Sequence, residues 1–213
     1  MIKVGLLIKN QKLKYIVMRS LNEYNISFSE ISSSKDIPSD INAIFIDAQS
    51  DNNLPVELHE KFKIIPITDD FTDQSSLLKI LPLIFKKNYF YETIIGIDPG
   101  KRYGFIVLAD GRILFLKQFL ELDLLIKSLL QFIEGIPTKT ITLRIGNGGG
   151  EHFRNLFSKL MEILPKKFCR EISIEIVDES SLINVVMNFE NHNLPDNILS
   201  AYIIALNRGR KLK

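Results

Sequence analysis

Short apolar runs, each closed by a polar or turn-forming residue and followed by a stretch with helical spacing, constrain this chain more than any other feature. Residues 2–8 and 43–47 are continuous enough in apolar character to read as strands buried on both faces. Residues 11–24 place Leu13, Ile16, Val17, Ser20 and Leu21 on one helical face. Ile26, Phe28 and Ile31 suggest a strand that alternates only in part, and residues 32–40, with their serines and Pro38, read as a loop. Residues 55–62 fit a short helix with Pro55 at a tolerated first-turn position. Residues 63–68 form a further strand, and residues 73–87 a helix that Pro82 should shorten or kink. Strand–helix alternation of this kind implies a small parallel sheet with helices on its faces, occupying residues 1–88.

That first domain is similar to the receiver-like and flavodoxin-like folds. The receiver resemblance implies an acidic pair after the first strand, where this chain has Lys9 and Asn10, and a phosphoacceptor at the end of the third strand, where it has Asp47. Without the acidic pair no magnesium site is evident, and a structural or partner-binding module is the expectation.

Residues 89–213 follow another plan. Residues 93–97 read as a strand ending in the turn Asp98-Pro99-Gly100. Residues 103–108 and 112–119 are strands joined through Ala109-Asp110-Gly111, and Asp-Gly between apolar runs is a strong hairpin signal. A helix is expected at 120–134, a strand at 140–145, the cluster Gly146-Asn147-Gly148-Gly149-Gly150, and a helix at 151–164. A strand at 172–177 and helices at 180–189 and 195–207 complete the order.

Composition excludes several classes. The chain has 213 residues and 24.4 kDa, with 46% apolar and 24% charged residues, the mix of a globular protein. Its one cysteine, Cys169, permits no internal disulfide and suits a reducing cytoplasm. No apolar run approaches the roughly 20 residues of a membrane span, and the N-terminus lacks the pattern of a signal peptide. Net charge is +2, too small for a bulk electrostatic grip on nucleic acid, though a local patch remains open. Residues 1–88 balance 11 basic against 11 acidic side chains, and residues 89–213 carry 16 against 14. The excess lies at Arg208, Arg210, Lys211 and Lys213, either a solvated tail or a phosphate-contacting arm.

Three sets of carboxylates could carry chemistry. Asp98 stands at the end of an apolar strand, before a Pro-Gly turn, which suits a magnesium ligand or a plain turn aspartate. Asp178 and Glu179 sit where a strand stops and a helix begins, the place for metal ligands or for helix caps with Ser180. Asp196 lies in the first turn of an apolar helix whose small Ser200 and Ala201 allow close packing on a sheet. Parallel neighbouring strands would bring Asp98 and the Asp178–Glu179 pair to one edge. Converging carboxylates repel and need a cation. Two magnesium ions about 4 Å apart would stabilise the attacking and leaving oxygens of a phosphodiester, the chemistry of a nuclease.

Around that edge, Lys101, Arg102 and Tyr103 are placed to hold a backbone phosphate and stack a base. Gly148 and Gly149, ahead of the helix at Glu151, offer free amides for a phosphate, and Asn147 a neutral metal ligand; the other reading is a loop with no ligand. His59, His152, His192 and Cys169 lack zinc spacing.

Residues 92–207 resemble the ribonuclease H-like superfamily in its RuvC and YqgF (Holliday junction resolvase-like) branch. Gly96-Ile97-Asp98-Pro99-Gly100 is similar to the branch's first motif, Asp178-Glu179 to its acidic pair, and Asp196 with Ser200-Ala201 and Ile203-Ile204-Ala205-Leu206 to its closing motif. The resemblance implies a mixed sheet of three antiparallel and two parallel strands flanked by helices. It implies Mg2+ or Mn2+ as cofactor, with Glu179 favoured as ligand beside Asp98 and Asp196. It also implies cleavage of structured DNA or RNA in recombination and repair, and a homodimer, because a junction has two symmetric cuts. The chain departs from the branch at residues 142–145, where RuvC enzymes carry a glutamate and this sequence has none. Ser180 also replaces a usual arginine, and Asn193 stands where His or Asp is common. A non-catalytic nucleic-acid-binding or protein-interaction relative is the alternative. Actin-like ATPases and sugar kinases share Gly-Ile-Asp-Pro-Gly, but need two such domains where this half has room for one.

Overall fold

The structure is a computed structural model and describes residues 2–33, 37–51, 55–167, 172–181 and 194–212. The expected helix at 180–189 beyond Ser181, together with Cys169, His192 and Asn193, lies outside the described residues. The chain divides into two units, one of residues 1–89 with 134–137, the other of residues 90–133 with 138–213. No helix among the described residues is long and apolar enough to cross a membrane.

The first unit runs β1 (Lys3–Leu7), α1 (Gln11–Glu23), β2 (Ser27–Glu30), β3 (Ala43–Ile46), α2 (Ala48–Asp51), α3 (Val56–Lys61), β4 (Lys63–Pro66) and α4 (Gln74–Ile84). All its strand pairs are parallel, in the order β2-β1-β3-β4. Central β3 is buried throughout, as its unbroken apolar run requires. Asn10 caps α1 by accepting from the Leu13 N–H, and Asp73 caps α4 through Ser75 and Ser76. Pro82 sits in the last turn of α4, which stops two residues later. The short α2 was not foreseen.

Asp47 closes β3 and is 4% exposed. One carboxylate oxygen accepts from the N–H groups of Asn10 at 2.7 Å and Lys9 at 2.8 Å, the other from the Ser50 N–H at 3.1 Å. Burial alone would raise its pKa, but hydrogen bonds from Ser50, Asn10 and Lys9 outweigh it and hold the carboxyl below its ordinary value. The aspartate therefore ties the β1–α1 turn to the end of β3.

The second unit comprises β5 (Phe90–Asp98), β6 (Tyr103–Ala109), β7 (Arg112–Phe119), α5 (Leu122–Gly135), β8 (Thr138–Gly146), α6 (Glu151–Lys167), β9 (Ile172–Val177), a 3-10 turn at Glu179–Ser181, α7 (Asp196–Leu206) and β10 (Arg210–Lys211). The sheet order is β10-β9-β8-β5-β6-β7. β5, β6 and β7 are antiparallel, and β8 and β9 run parallel to β5. This is the mixed sheet the resemblance implied, with one addition. β10 pairs antiparallel with β9, so Arg210 and Lys211 belong to a strand rather than a solvated tail. The hairpin turn is made by Asp110 (φ 47°) and Gly111 (φ 77°), the left-handed pair that a two-residue turn requires.

Helices cover both faces. Phe132 of α5 meets Phe105 and Phe115 on one face, at ring-centroid distances of 6.0 and 5.1 Å. On the other, Ala201 and Ala205 of α7 pack with Ile106 and Leu108. α7 lies close because the sheet beneath it is floored with glycine. A Cβ on Gly96 would overlap the Ala201 carbonyl oxygen and the Ala205 side chain, and one on Gly104 the Asn197 carbonyl. Asp98 and Gly104 are cross-strand partners, so the start of α7 sits beside the end of β5.

Two outcomes follow. Asp47→Ala strands three N–H groups and lowers unfolding free energy by about 2–3 kcal/mol, read by urea titration of the full chain. Gly104→Ala forces α7 off the sheet and costs about 1–3 kcal/mol in the same measurement, whereas Gly111→Asn, at an open turn position, costs far less.

Candidate active site

Because β5, β8 and β9 are parallel, their C-terminal ends share one edge of the sheet, the edge where open α/β sheets commonly bind ligands. Strand alternation fixes what points where. Ile94, Gly96 and Asp98 share the α7 face of β5, and Arg144 and Gly146 share that face of β8. Asp98 thus projects toward α7 at the strand's last position.

Glu179 arrives from the turn after β9. Its carboxylate lies directly over Gly146, where any Cβ would collide with it. The Gly148 N–H donates to its Oε1 at 2.8 Å, and its own N–H donates to Asn147 Oδ1 at 3.2 Å. Gly149 packs against the Pro99 carbonyl with no room for a side chain. The glycine cluster therefore seats Glu179 and presses on the turn after Asp98. Gly148 and Gly149 were expected to hold a phosphate; the Gly148 amide is already engaged by Glu179.

Asp98 is half-buried, and its pKa is pushed up to about 6, first by burial and then by the negative charge of Glu179. Two carboxylates are thus brought together in a partly dry place with mutual repulsion unrelieved. Asp178 does something else. Its Oδ1 accepts from the Ser180 hydroxyl at 2.8 Å and the Ser180 N–H at 3.1 Å, which lowers its pKa. Asp178 thus caps the turn that follows β9, as the capping reading expected.

Asp196 is exposed in the first turn of α7, behind Pro195. That turn is anchored at the same rim: the Asn197 side chain donates to the Arg102 carbonyl at 3.2 Å and bonds the Gln118 amide. Yet no group of three or more His, Cys, Asp or Glu side chains that could hold a metal ion is found among the described residues. The structure brings Asp98 to Glu179 and leaves Asp196 at the rim beside them. Lys101 and Arg102 are exposed in the β5–β6 turn, as expected. Tyr103 is not: it is 4% exposed, its ring edge-on to His152 at 5.8 Å. A stacking role for Tyr103 is overturned by that burial.

Two features escaped the sequence. Asn197 holds the helix start to the sheet, and in sequence it was only a second polar residue in the first turn beside Asp196. Arg144, on the strand that lacks the expected acid, is 6% exposed. Its Nε donates to Glu175 at 2.9 Å and its Nη1 to the Ala205 carbonyl, while the Gly209 N–H donates to the same Glu175 carboxylate at 3.2 Å.

The donor chemistry fits one hard divalent cation. Asp98 and Glu179 supply oxygen ligands, and Mg2+ is commonly held by one or two carboxylates with water and substrate phosphate completing its shell. No family model matches the chain, and no curated protein matches it. Among solved structures, the chain is similar to T. thermophilus RuvC in complex with a Holliday junction substrate, with 11% identity and a TM-score of 0.42, over 57% of this chain and 100% of that one. At that level the likeness adds nothing to the chemistry of the site, which rests on Asp98 and Glu179 themselves.

The raised pKa of Asp98 has a definite sign. The folded state favours the protonated acid, so this stabilising contribution is complete below about pH 4 and is lost as pH rises through about 6. Asp98→Asn mimics the neutral acid. It should match the wild-type chain at pH 4 and exceed it by about 1–2 kcal/mol at pH 8 without divalent ions, the figure being reduced for partial exposure, by urea titration at both pH values.

Proposed function

We propose that this chain is a metal-dependent nuclease that hydrolyses phosphodiesters in structured nucleic acid, branched DNA or RNA. The observation that carries the reading is the Asp98–Glu179 pair: two carboxylates close enough to raise the pKa of Asp98, at the C-terminal edge of a parallel strand trio. Such a pair is relieved by a proton on one acid or, above that acid's pKa, by a bound cation. Asp98 and Glu179 would hold Mg2+ or Mn2+, whose charge offsets that of a phosphate undergoing attack. Gly148 and Asn147 keep Glu179 oriented, and Gly146 and Gly149 leave it room. Asp196, at the start of α7, is the third carboxylate in reach of a substrate at this rim.

A second reading has its own observation. Arg144, buried and paired with Glu175, lies on the strand where RuvC enzymes carry a glutamate and this chain has no acid. That favours a non-catalytic nucleic-acid-binding relative.

Calorimetric titration with Mn2+ separates the two. The nuclease reading expects one site lost in Asp98→Asn and in Glu179→Gln. It also expects Mn2+-dependent cutting of labelled branched or single-stranded DNA or RNA, reduced at least about 100-fold by either substitution, no less than loss of an outer-shell metal partner costs. Binding of nucleic acid with no cutting and no Mn2+ uptake decides for the second reading.

A further inference from the structure

We infer that the groove along the β9–β10 edge is a track for the sugar-phosphate backbone of a nucleic acid strand. This inference deepens the proposed function and rests on its nucleic-acid substrate.

The groove, of about 510 Å³, is lined by Asn147, Ile176, Asp178, Arg210, Lys211 and Leu212. That volume suits a nucleotide-sized group and exceeds what a lone ion needs. Its cations are placed by pairing: β10 runs antiparallel to β9 with Arg210 opposite Ile176 and Lys211 opposite Glu175. Both side chains are exposed. A cation on a paired strand is held in position before a ligand arrives, unlike one on a solvated tail, so less ordering entropy opposes binding. These residues also carry the charge excess of the second half, since Arg208, Arg210, Lys211 and Lys213 lie together where acids are missing.

The opposite end of the groove decides the ligand. Asn147 accepts from the Glu179 N–H, and Asp178 precedes Glu179 in the chain, so the end of the groove away from the cations adjoins Glu179. The Asp178 carboxylate is bonded to Ser180 and repels an anion there, which leaves the Arg210 end as the anion-binding part. A chain of phosphates fits both ends: one phosphate on Arg210 and Lys211, another at Asp98 and Glu179 with a divalent cation between.

The test is fluorescence anisotropy of the full chain with labelled single-stranded DNA and RNA, in EDTA, across a salt series. The double substitution Arg210→Gln with Lys211→Gln should weaken binding about 10-fold at low salt and reduce the salt slope by one to two. Lys127→Gln, which removes one positive charge on α5, should alter neither. Arg210→Lys with Lys211→Arg should retain binding, and it carries the test if the glutamine variant melts early. Unchanged affinity and slope in the glutamine variant, loss of binding in the charge-conserving one, or a wild-type chain that binds neither nucleic acid overturns the inference. The readout is independent of cutting. A chain that binds through these residues but cuts nothing with Mn2+ ends the nuclease reading alone, and a chain that cuts while the variant binds normally ends this inference alone.

Discussion

The second unit depends on the close approach of α7 to its sheet. Backbone carbonyls and alanine methyl groups of the helix rest on Gly96 and Gly104, positions where no side chain fits. Interior packing at this density does not tolerate an added methyl without a shift of the whole element. The helix in turn fixes the rim. Its first residues lie over the strand pair that ends in Asp98, and Asn197 bonds both the Arg102 carbonyl and Gln118. Gly146 extends the same floor to β8, where the void left by a missing side chain receives the Glu179 carboxylate and Ile204. One packing device thus positions both the helix and the acid.

That arrangement holds the acids in a state costly without a counter-charge. Asp98 sits on a rigid strand end, half out of water, and Glu179 is tied by two hydrogen bonds through the glycine loop. Neither can swing away freely to relieve the repulsion. A fold that only needed stability would place a neutral or apolar residue at 98, since an ionised carboxylate there gains nothing from its surroundings. Strain of this electrostatic kind, localised at the C-terminal edge of parallel strands, is the physical ground for the functional proposal.

Much of the architecture was legible because burial leaves a periodic trace. The unbroken apolar run of β3, the Asp110-Gly111 turn and the five strands of the second sheet's core all followed from pattern and turn chemistry. β10 left no such trace: two charged residues on an edge strand look like tail, and only pairing with β9 reveals them. At the site, Asp98 and Glu179 were legible because strand ends on parallel neighbours must share an edge. The use of Asp178 was not, since a cap and a metal ligand occupy the same position in sequence and only the structure shows its bonds to Ser180. Tyr103 misled for a related reason: it follows two exposed cations, but strand alternation turns its ring to the covered face. The glycine cluster looked like a free anion nest, yet its amide and its lack of side chains serve residues distant in sequence.

Arg144 shows how the sheet edge can be reworked without losing the fold. A buried guanidinium is costly to desolvate and persists only where partners compensate it. Here Glu175 on the next strand, the Ala205 carbonyl near the end of α7 and the Gly209 turn into β10 all join one network. An acid at 144 would face Glu175 and the helix carbonyl, leaving like charges buried together and β10 without its anchor. The pair is therefore a structural cross-link between β8, β9 and α7. The same network holds β10 against β9, so the basic edge and the acidic rim are joined through β8 and β9, and neither can be moved by substitution at Arg144 without disturbing the other.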